Sequence, residues 1–148
     1  MDLTALGRQI LDNALYLVLG TADADGRPWA APVYFAHDSY RDFIWVSKPG
    51  ARHSLNIEVR PEVSIVVFDS TVPIGTGRGV YVEATAAEVG EAERDEALAT
   101  FSRRSIAHGG GEFTAADALP PARLRLYKAT AAEQFVLDDR DNRVALTL

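Results

Sequence analysis

The sequence contains no cysteine and only three histidines, and these shortages narrow the chemistry open to it. Without cysteine there is no disulfide, no thiolate nucleophile and no thiolate metal ligand. The histidines, His37, His53 and His108, have neither helical nor hairpin spacing, so no metal site is expected. Only two of the 15 basic residues are lysines, Lys48 and Lys128. Cysteine-based catalysis and a histidine-rich metal centre are therefore excluded as interpretations.

Basic charge and long apolar runs are also scarce. The formal net charge of −6 does not favour a surface that follows nucleic-acid phosphates. No apolar run approaches the roughly 20 residues of a membrane-spanning helix. The first residues, Met1–Thr4, lack the basic and apolar regions of a signal peptide. We expect a cytoplasmic protein with no nucleic-acid or membrane partner and, without a break in composition, one domain over residues 1–148.

Most of the chain shows the patterns of β-strands joined by short turns. The segments 15–22 and 28–35 flank the turn Asp23–Gly26 and predict a β-hairpin. Further strands are predicted over 43–46, 63–68, 80–89, 124–137 and 143–148. Helices are predicted from a cap at Thr4 to Asn13, from Ala51 to Pro61 and over 91–104. This order predicts a mainly β (α+β) fold, a small antiparallel β-barrel with two or three short helices.

Two strands carry more specific expectations. The run Val63–Phe68 is continuously apolar and is expected to be buried on both faces. Pro32 cannot donate to a strand ladder, so its strand should lie at an edge or be bulged there, which would leave backbone free for a ligand or partner. Val33, Phe35 and Trp45 are candidates for apolar contacts with a second subunit, and equally for the barrel core.

The most informative segment joins a strand to a helix and is crowded with cations and hydroxyls. The strand Phe43–Val46 ends before Pro49 and Gly50, and the following helix places Leu55 and Val59 on one face. A helix N-terminus offers free N–H groups and the positive end of a dipole. The segment therefore predicts a phosphate site, with solvated loop charges as the alternative. The five residues expected at that site are Ser47, Lys48, Arg52, His53 and Ser54.

The loop Gly75–Gly79 superficially resembles a dinucleotide-binding fingerprint. That fingerprint requires a following helix, whereas a strand follows here, so a flexible loop is the better interpretation. Arg78, at the entrance of that strand, is a candidate second cation for the ligand.

Four segments in order resemble the pyridoxamine 5'-phosphate oxidase-like family over about residues 10–136. They are the hairpin strand Gly26–Phe35, the segment from Ser47 to Ser54, Arg60–Ile65 and Gly79–Ala84. The resemblance implies a split β-barrel that binds FMN, and a homodimer with the two FMN molecules between the subunits. It further implies that the phosphate is held by the Ser47–Ser54 turn and that Ala31, Pro32 and Val33 line the flavin ring. Within that turn, the family's serine and lysine are replaced by Ala51 and His53.

The resemblance implies an FMN-dependent oxidoreductase that transfers a hydride to or from an unidentified small substrate. A deazaflavin-dependent reductase is the alternative, because both cofactors present a phosphate, and a non-catalytic flavin carrier or sensor is another. No side chain is predicted to act as a catalytic acid or base. The true oxidases end in a segment rich in Trp and Arg, which Asn142–Leu148 does not match. Oxidation of vitamin B6 is therefore not expected.

Overall fold

The computed structural model describes residues 2–148 and contains three α-helices, eight strands and one 3₁₀ turn in that range. The helices are α1 (Leu3–Asn13), α2 (Arg52–Val59) and α3 (Glu91–Ala107), and the 3₁₀ turn is Ala115–Asp117. The strands are β1 (Tyr16–Ala22), β2 (Pro28–Tyr34), β3 (Ala36–Asp38), β4 (Asp42–Ser47), β5 (Glu62–Phe68), β6 (Gly79–Glu88), β7 (Arg125–Leu137) and β8 (Arg143–Leu146). The predicted strands and helices are all present.

The strands form one antiparallel sheet in the order β2-β1-β5-β6-β7-β4-β3. The long strand β7 splits the sheet, because its first half pairs with β4 and its second half pairs with β8. The expected antiparallel split β-barrel is confirmed. β2 pairs only with β1, so the edge position predicted from Pro32 is also correct.

The barrel interior is filled by alternate residues of the strands. Val63, Ile65 and Val67 point inward, whereas Ser64 is exposed and Phe68 is 50% exposed. The expectation that β5 is buried on both faces is therefore wrong for this chain, since its outer face is open and its burial alternates. The three residues proposed for either an interface or the core, Val33, Phe35 and Trp45, all belong to the buried core.

Helix α1 closes one end of the barrel. Its cap is Asp2, whose carboxylate accepts a hydrogen bond from the Ala5 N–H, so the prediction of Thr4 as the cap is wrong. Thr4 instead lies within the first turn. A Cβ on Gly7 would lie 2.6 Å from a methyl carbon of Leu148, so close packing of this helix on the barrel requires glycine there.

Helix α3 packs outside the barrel against a second apolar cluster that includes Ile44 and Leu126. Its buried residues include Leu98 and Phe101, as its sequence pattern predicts, and it continues past the predicted end at Arg104 to Ala107. The Arg104 guanidinium donates to the carbonyls of Leu11 and Ala14 and so binds α3 to the end of α1. Within residues 2–148, no helix is both long and apolar enough to cross a membrane.

Candidate anion-binding site at the start of helix α2

Helix α2 is attached to the β1–β2 hairpin by a chain of hydrogen bonds. The Asn56 side-chain amide donates to Thr21 Oγ1 over 3.0 Å, and that hydroxyl donates to the Trp29 carbonyl over 3.4 Å. Asn56 and Thr21 are both buried. At the other end of the helix, the Arg60 guanidinium donates to the carbonyls of Asp23 and Ala24 in the hairpin turn. The helix and the edge strand β2 therefore hold one fixed relative position.

The inner face of α2 is partly polar. Its buried residues are Ser54, Asn56 and Ile57. Leu55 and Val59 share a face, as their spacing predicts, but that face is exposed, with 50% and 62% of the two residues accessible. The face of the helix that packs inward is thus the one that carries Asn56 and its hydrogen bond to Thr21. The face that carries Leu55 and Val59 points outward.

The first turn of α2 leaves its amides available. Ala51 is the N-cap in extended conformation and makes no side-chain cap hydrogen bond. The first hydrogen bond back to the cap runs from Leu55 N to the Ala51 carbonyl. The N–H groups of Arg52, His53 and Ser54 therefore precede the helical ladder, which is the arrangement that favours an anion.

Two of the predicted site residues bind each other. Ser47 Oγ lies 2.8 Å from His53 Nε2, and Ser47 is buried at the end of β4. Burial lowers the pKa of His53 below its ordinary value of 6.5, so the imidazole is neutral at pH 7. His53 therefore supplies a hydrogen-bonding group and no positive charge at this pH.

The positive charge of the site comes from Arg52, the first residue of α2. Its guanidinium carbon lies 4.2 Å from the centre of the Trp29 ring, a cation–π contact between the helix and β2. Trp29 also lines a groove of about 890 Å³ on the sheet. The groove floor consists largely of small residues, Gly20, Ala30, Ser64, Ala84 and Ala132, and its lining includes the carboxylates of Glu62 and Glu83. The charged helix start thus adjoins an open groove.

The remaining predicted residues lie in other places. Lys48 lines a separate depression with Phe113 and Arg123. The buried Ser54 hydroxyl, which has no hydrogen-bond partner, lines a second cavity beside Tyr127. Arg78 lies beside α1, next to the first residue of β6. The opposite end of that strand, at Glu88, is the end that lies near Ser47, because Glu88 pairs with Tyr127. Within one chain, Arg78 is therefore separated from the start of α2 by the length of β6.

Strand β2 contributes to the groove slightly earlier than expected. The groove is lined by Pro28, Trp29 and Ala30, whereas Ala31 is half-buried and Val33 faces the core. Pro32 is exposed on the strand edge.

Trp29, Thr21 and Asn56 were not predicted as site residues. The alternation along β2 places Trp29 on the same face as Val33, and no ligand contact is predicted for that face from the alternation alone. Nothing in the local pattern links Asn56 to Thr21, because the two residues are 35 positions apart. Only the polar character of Asn56 beside the apolar Ile57 could have suggested an unusual inner face.

The residues present fit one anionic group of phosphate size. Three free amides, a guanidinium and a buried hydroxyl at one turn are donors of the kind that a phosphate accepts. Among residues 2–148 there is no cluster of three or more His, Asp or Glu side chains suited to a metal ion. The donor set therefore suits an anion.

Fold and donor set together describe a split-barrel protein with a candidate anion site beside an edge strand. The family model described as pyridoxamine 5'-phosphate oxidase matches residues 3–136, so the chain belongs to that family. A pyridoxine/pyridoxamine 5'-phosphate oxidase from Rubrobacter xylanophilus is 36% identical over 89 residues. The match covers 60% of this chain and 39% of that relative, so it spans about two fifths of the relative's length.

Two solved structures with a similar fold are described as heme proteins. HutZ, the heme storage protein from Vibrio cholerae, has a TM-score of 0.72 at 23% identity, covering 92% of this chain and 95% of HutZ. A heme-binding protein from Mycobacterium smegmatis has a TM-score of 0.76 at 16% identity, covering 95% of this chain and 55% of its own. At these identities the likeness bears on the fold alone.

Proposed function

We propose that this protein binds FMN and acts as a flavin-dependent oxidoreductase on a small substrate. Family membership supports this proposal, and the observation that carries it is the start of α2, where free amides and Arg52 adjoin the groove beside Trp29. A deazaflavin coenzyme also carries a phosphate and is the alternative within the same site.

In this proposal the chain binds and orients the cofactor. Arg52 and the first amides of α2 hold the phosphate, and Ser47 adds a hydroxyl that is aligned by His53. The small residues of the groove leave room for a flat ring, and FMN when bound supplies the hydride-transfer chemistry. None of these side chains is assigned the role of catalytic acid or base.

The test is an absorption spectrum of the freshly purified protein, followed by titration of the cofactor-free protein with FMN. We expect oxidised-flavin bands and saturable binding, and we expect bound flavin, once reduced, to be reoxidised by an added quinone at a saturable rate. Deazaflavin bands would favour the alternative cofactor. Stable flavin without any reoxidation would favour a carrier or sensor. Absence of both cofactors after titration would contradict the proposal.

A heme carrier is the second candidate, because two structural neighbours are described as heme proteins. The histidines of this chain give it little support. His37 uses both ring nitrogens, toward Asp12 and the Tyr40 amide. His53 uses one toward Ser47, His108 uses one toward Tyr34, and none of the three lines the groove. Titration with hemin beside FMN decides the matter, and tighter hemin binding would favour the carrier.

We also propose that the protein is a homodimer that shares its cofactor sites. Two apolar residues of α2, Leu55 and Val59, and the edge strand β2 are exposed beside the proposed site and could contact a second copy. Sedimentation should show a dimer at micromolar concentration. A monomer that still binds FMN would contradict the shared site.

Pyridoxine phosphate is not proposed as a substrate. A second phosphate would need its own donors, yet the Arg125 guanidinium donates to the carbonyls of Ala122 and Leu124. Arg143 lies over the Tyr81 ring. We expect no oxygen-dependent conversion of pyridoxine phosphate by the FMN-loaded protein near the usual enzyme median of about 10 per second. Turnover at that rate would contradict this expectation.

The cytoplasmic location stays a prediction.

A further inference from the structure

The contact between Arg52 and Trp29 joins two elements that are distant in sequence. Arg52 is exposed at the first position of α2, where a free arginine would sample many rotamers. Its guanidinium instead lies over the Trp29 ring at 4.2 Å. Trp29 itself is 41% exposed, so the indole has both a covered part and a part that is open to the groove.

The two partners are held in this relation by the buried polar chain beneath them. Asn56 on α2 donates to Thr21, and Thr21 donates to the backbone carbonyl of Trp29 itself. The Asn56–Thr21 hydrogen bond is buried and the Thr21–Trp29 bond is partly buried, and breaking a buried hydrogen bond leaves unsatisfied polar groups. The Trp29 backbone is therefore held at a set position relative to α2, and the Arg52 guanidinium lies over the ring that this backbone carries.

When a long cationic side chain is already ordered in the free protein, less conformational entropy is lost as it binds an anion. An aromatic face attracts a guanidinium most strongly when the face is tryptophan, and less strongly when it is phenylalanine. An aliphatic residue of similar bulk offers packing without that attraction.

We infer that Trp29 is a positioning residue that holds the Arg52 guanidinium at the start of α2, and thereby sets the preference of the site for a phosphorylated ligand over its phosphate-free form. The inference rests on the proposed function only for the identity of the ligand. The placement of Arg52 by Trp29 is a property of the free protein and has its own test.

The first experiment measures the FMN and riboflavin affinities of the cofactor-free protein and of Trp29→Phe, Trp29→Leu, Arg52→Ala and the double variant Trp29→Leu/Arg52→Ala. The quantity of interest is the ratio of the two affinities, because contact of the indole with the flavin ring affects both ligands alike. We expect this ratio to fall about two- to fivefold in Trp29→Leu, the effect of a cation–π contact at an exposed site. Trp29→Phe should lie between wild type and Trp29→Leu.

The double variant isolates the coupling between the two side chains. Once Arg52 is absent, the change from Trp29 to leucine should leave the FMN to riboflavin ratio unaltered. An equal change of the ratio in both backgrounds, or no change in either, would overturn the inference while leaving FMN binding by the wild type intact.

The second experiment needs no ligand. Protons of Arg52 that lie over the indole are shifted upfield by its ring current, so NMR spectra of the wild type and Trp29→Leu should differ at the Arg52 side chain. The Ala5 resonance, on α1, serves as a control for intact folding. Identical Arg52 shifts in the two proteins would overturn the inference even if the protein binds no flavin.

Discussion

Two corners of this molecule place a histidine beside a hydroxyl, and they differ in whether their polar atoms are satisfied. We call Asp12, His37 and Tyr40 the α1 clasp, because they link α1 to the β3–β4 hairpin. Both oxygens of the Asp12 carboxylate accept hydrogen bonds there, one from Tyr40 and one shared with His37. The His37 and Tyr40 rings stack 4.5 Å apart. The clasp uses its donors and acceptors internally.

The second corner is the start of α2, with Ser47, Arg52, His53, Asn56 and Trp29. Here the buried Asn56 and Ser47 side chains are paired, whereas the buried Ser54 hydroxyl, the first amides of the helix and the Arg52 N–H groups are not hydrogen-bonded within the described chain. A closed polar cluster stabilises a fold, and a cluster with free donors on a rigid base can bind a ligand. Similar residue types thus give a structural corner and a candidate site.

The strongest test of this contrast is Arg52→Ala. Loss of a charge-assisted hydrogen bond to phosphate should weaken FMN binding about ten- to a hundredfold, with a smaller effect on riboflavin. Arg103→Ala on α3 is the matched control, because it removes the same charge from an exposed position. Equal weakening of both ligands would contradict the assignment of the phosphate to the start of α2.

The base beneath the site is tested by Asn56→Ala. Removal of a buried partner from Thr21 should lower the free energy of unfolding by about 1–3 kcal/mol, measured by urea denaturation. The paired change Asn56→Leu/Thr21→Val removes both polar groups and should be milder than the single change. If the pair is the more destabilising variant, packing and not the hydrogen bond fastens α2.

The two histidines predict a pH dependence of stability. Burial is the main cause that lowers the pKa of both His37 and His53 below 6.5. Between the folded-state pKa and 6.5 the unfolded chain binds more protons, so stability is full above about pH 6.5 and falls as the pH drops through the folded pKa. The slope of unfolding free energy between pH 7.5 and 5.5 should therefore decrease in His53→Gln and in His37→Gln. An unchanged slope in both variants would assign the acid sensitivity to other groups.

The smallest expected effect distinguishes the histidines from each other. The hydrogen bond with Asp12 raises the pKa of His37, but the larger effect of burial lowers it. The pKa of His53 is lowered by burial. Asp12→Asn should thus lower the pKa of His37 further and leave that of His53 in place, as followed by NMR titration. A rise in the pKa of His37 in this variant would contradict the claim that the Asp12 hydrogen bond raises that pKa.

Local sequence patterns were sufficient for most of the fold. Alternating apolar residues, the Asp23–Gly26 turn and Pro32 predicted the hairpin and its edge position, because these signals act over a few residues. The helix that begins near Ala51 was predicted by the same means. The cap of α1 was misplaced by two residues, since Asp2 and Thr4 are both competent caps and only the folded geometry selects one.

The candidate site was predicted in part. The turn and its cations lie at a helix start, as the sequence indicates, yet the side chains diverge: Ser47 binds His53, Arg52 contacts Trp29, and Lys48 faces another depression. The direction of each side chain at a helix start depends on the residues from other elements that pack around it. The local sequence does not specify those neighbours.

The amino-acid sequence by itself determined the order of the strands along the chain, the edge strand and the position of the helix start that carries Arg52, because hydrophobic periodicity, turn residues and proline act locally. Only the tertiary structure decided that Trp29 lies over the groove rather than in the core, that Arg52 rests on it, and that Asn56 and Thr21 fasten the two. Those contacts join residues more than 20 positions apart. Their pairing follows from the register of β1 with β2 and from the side on which α2 packs, which no local pattern specifies.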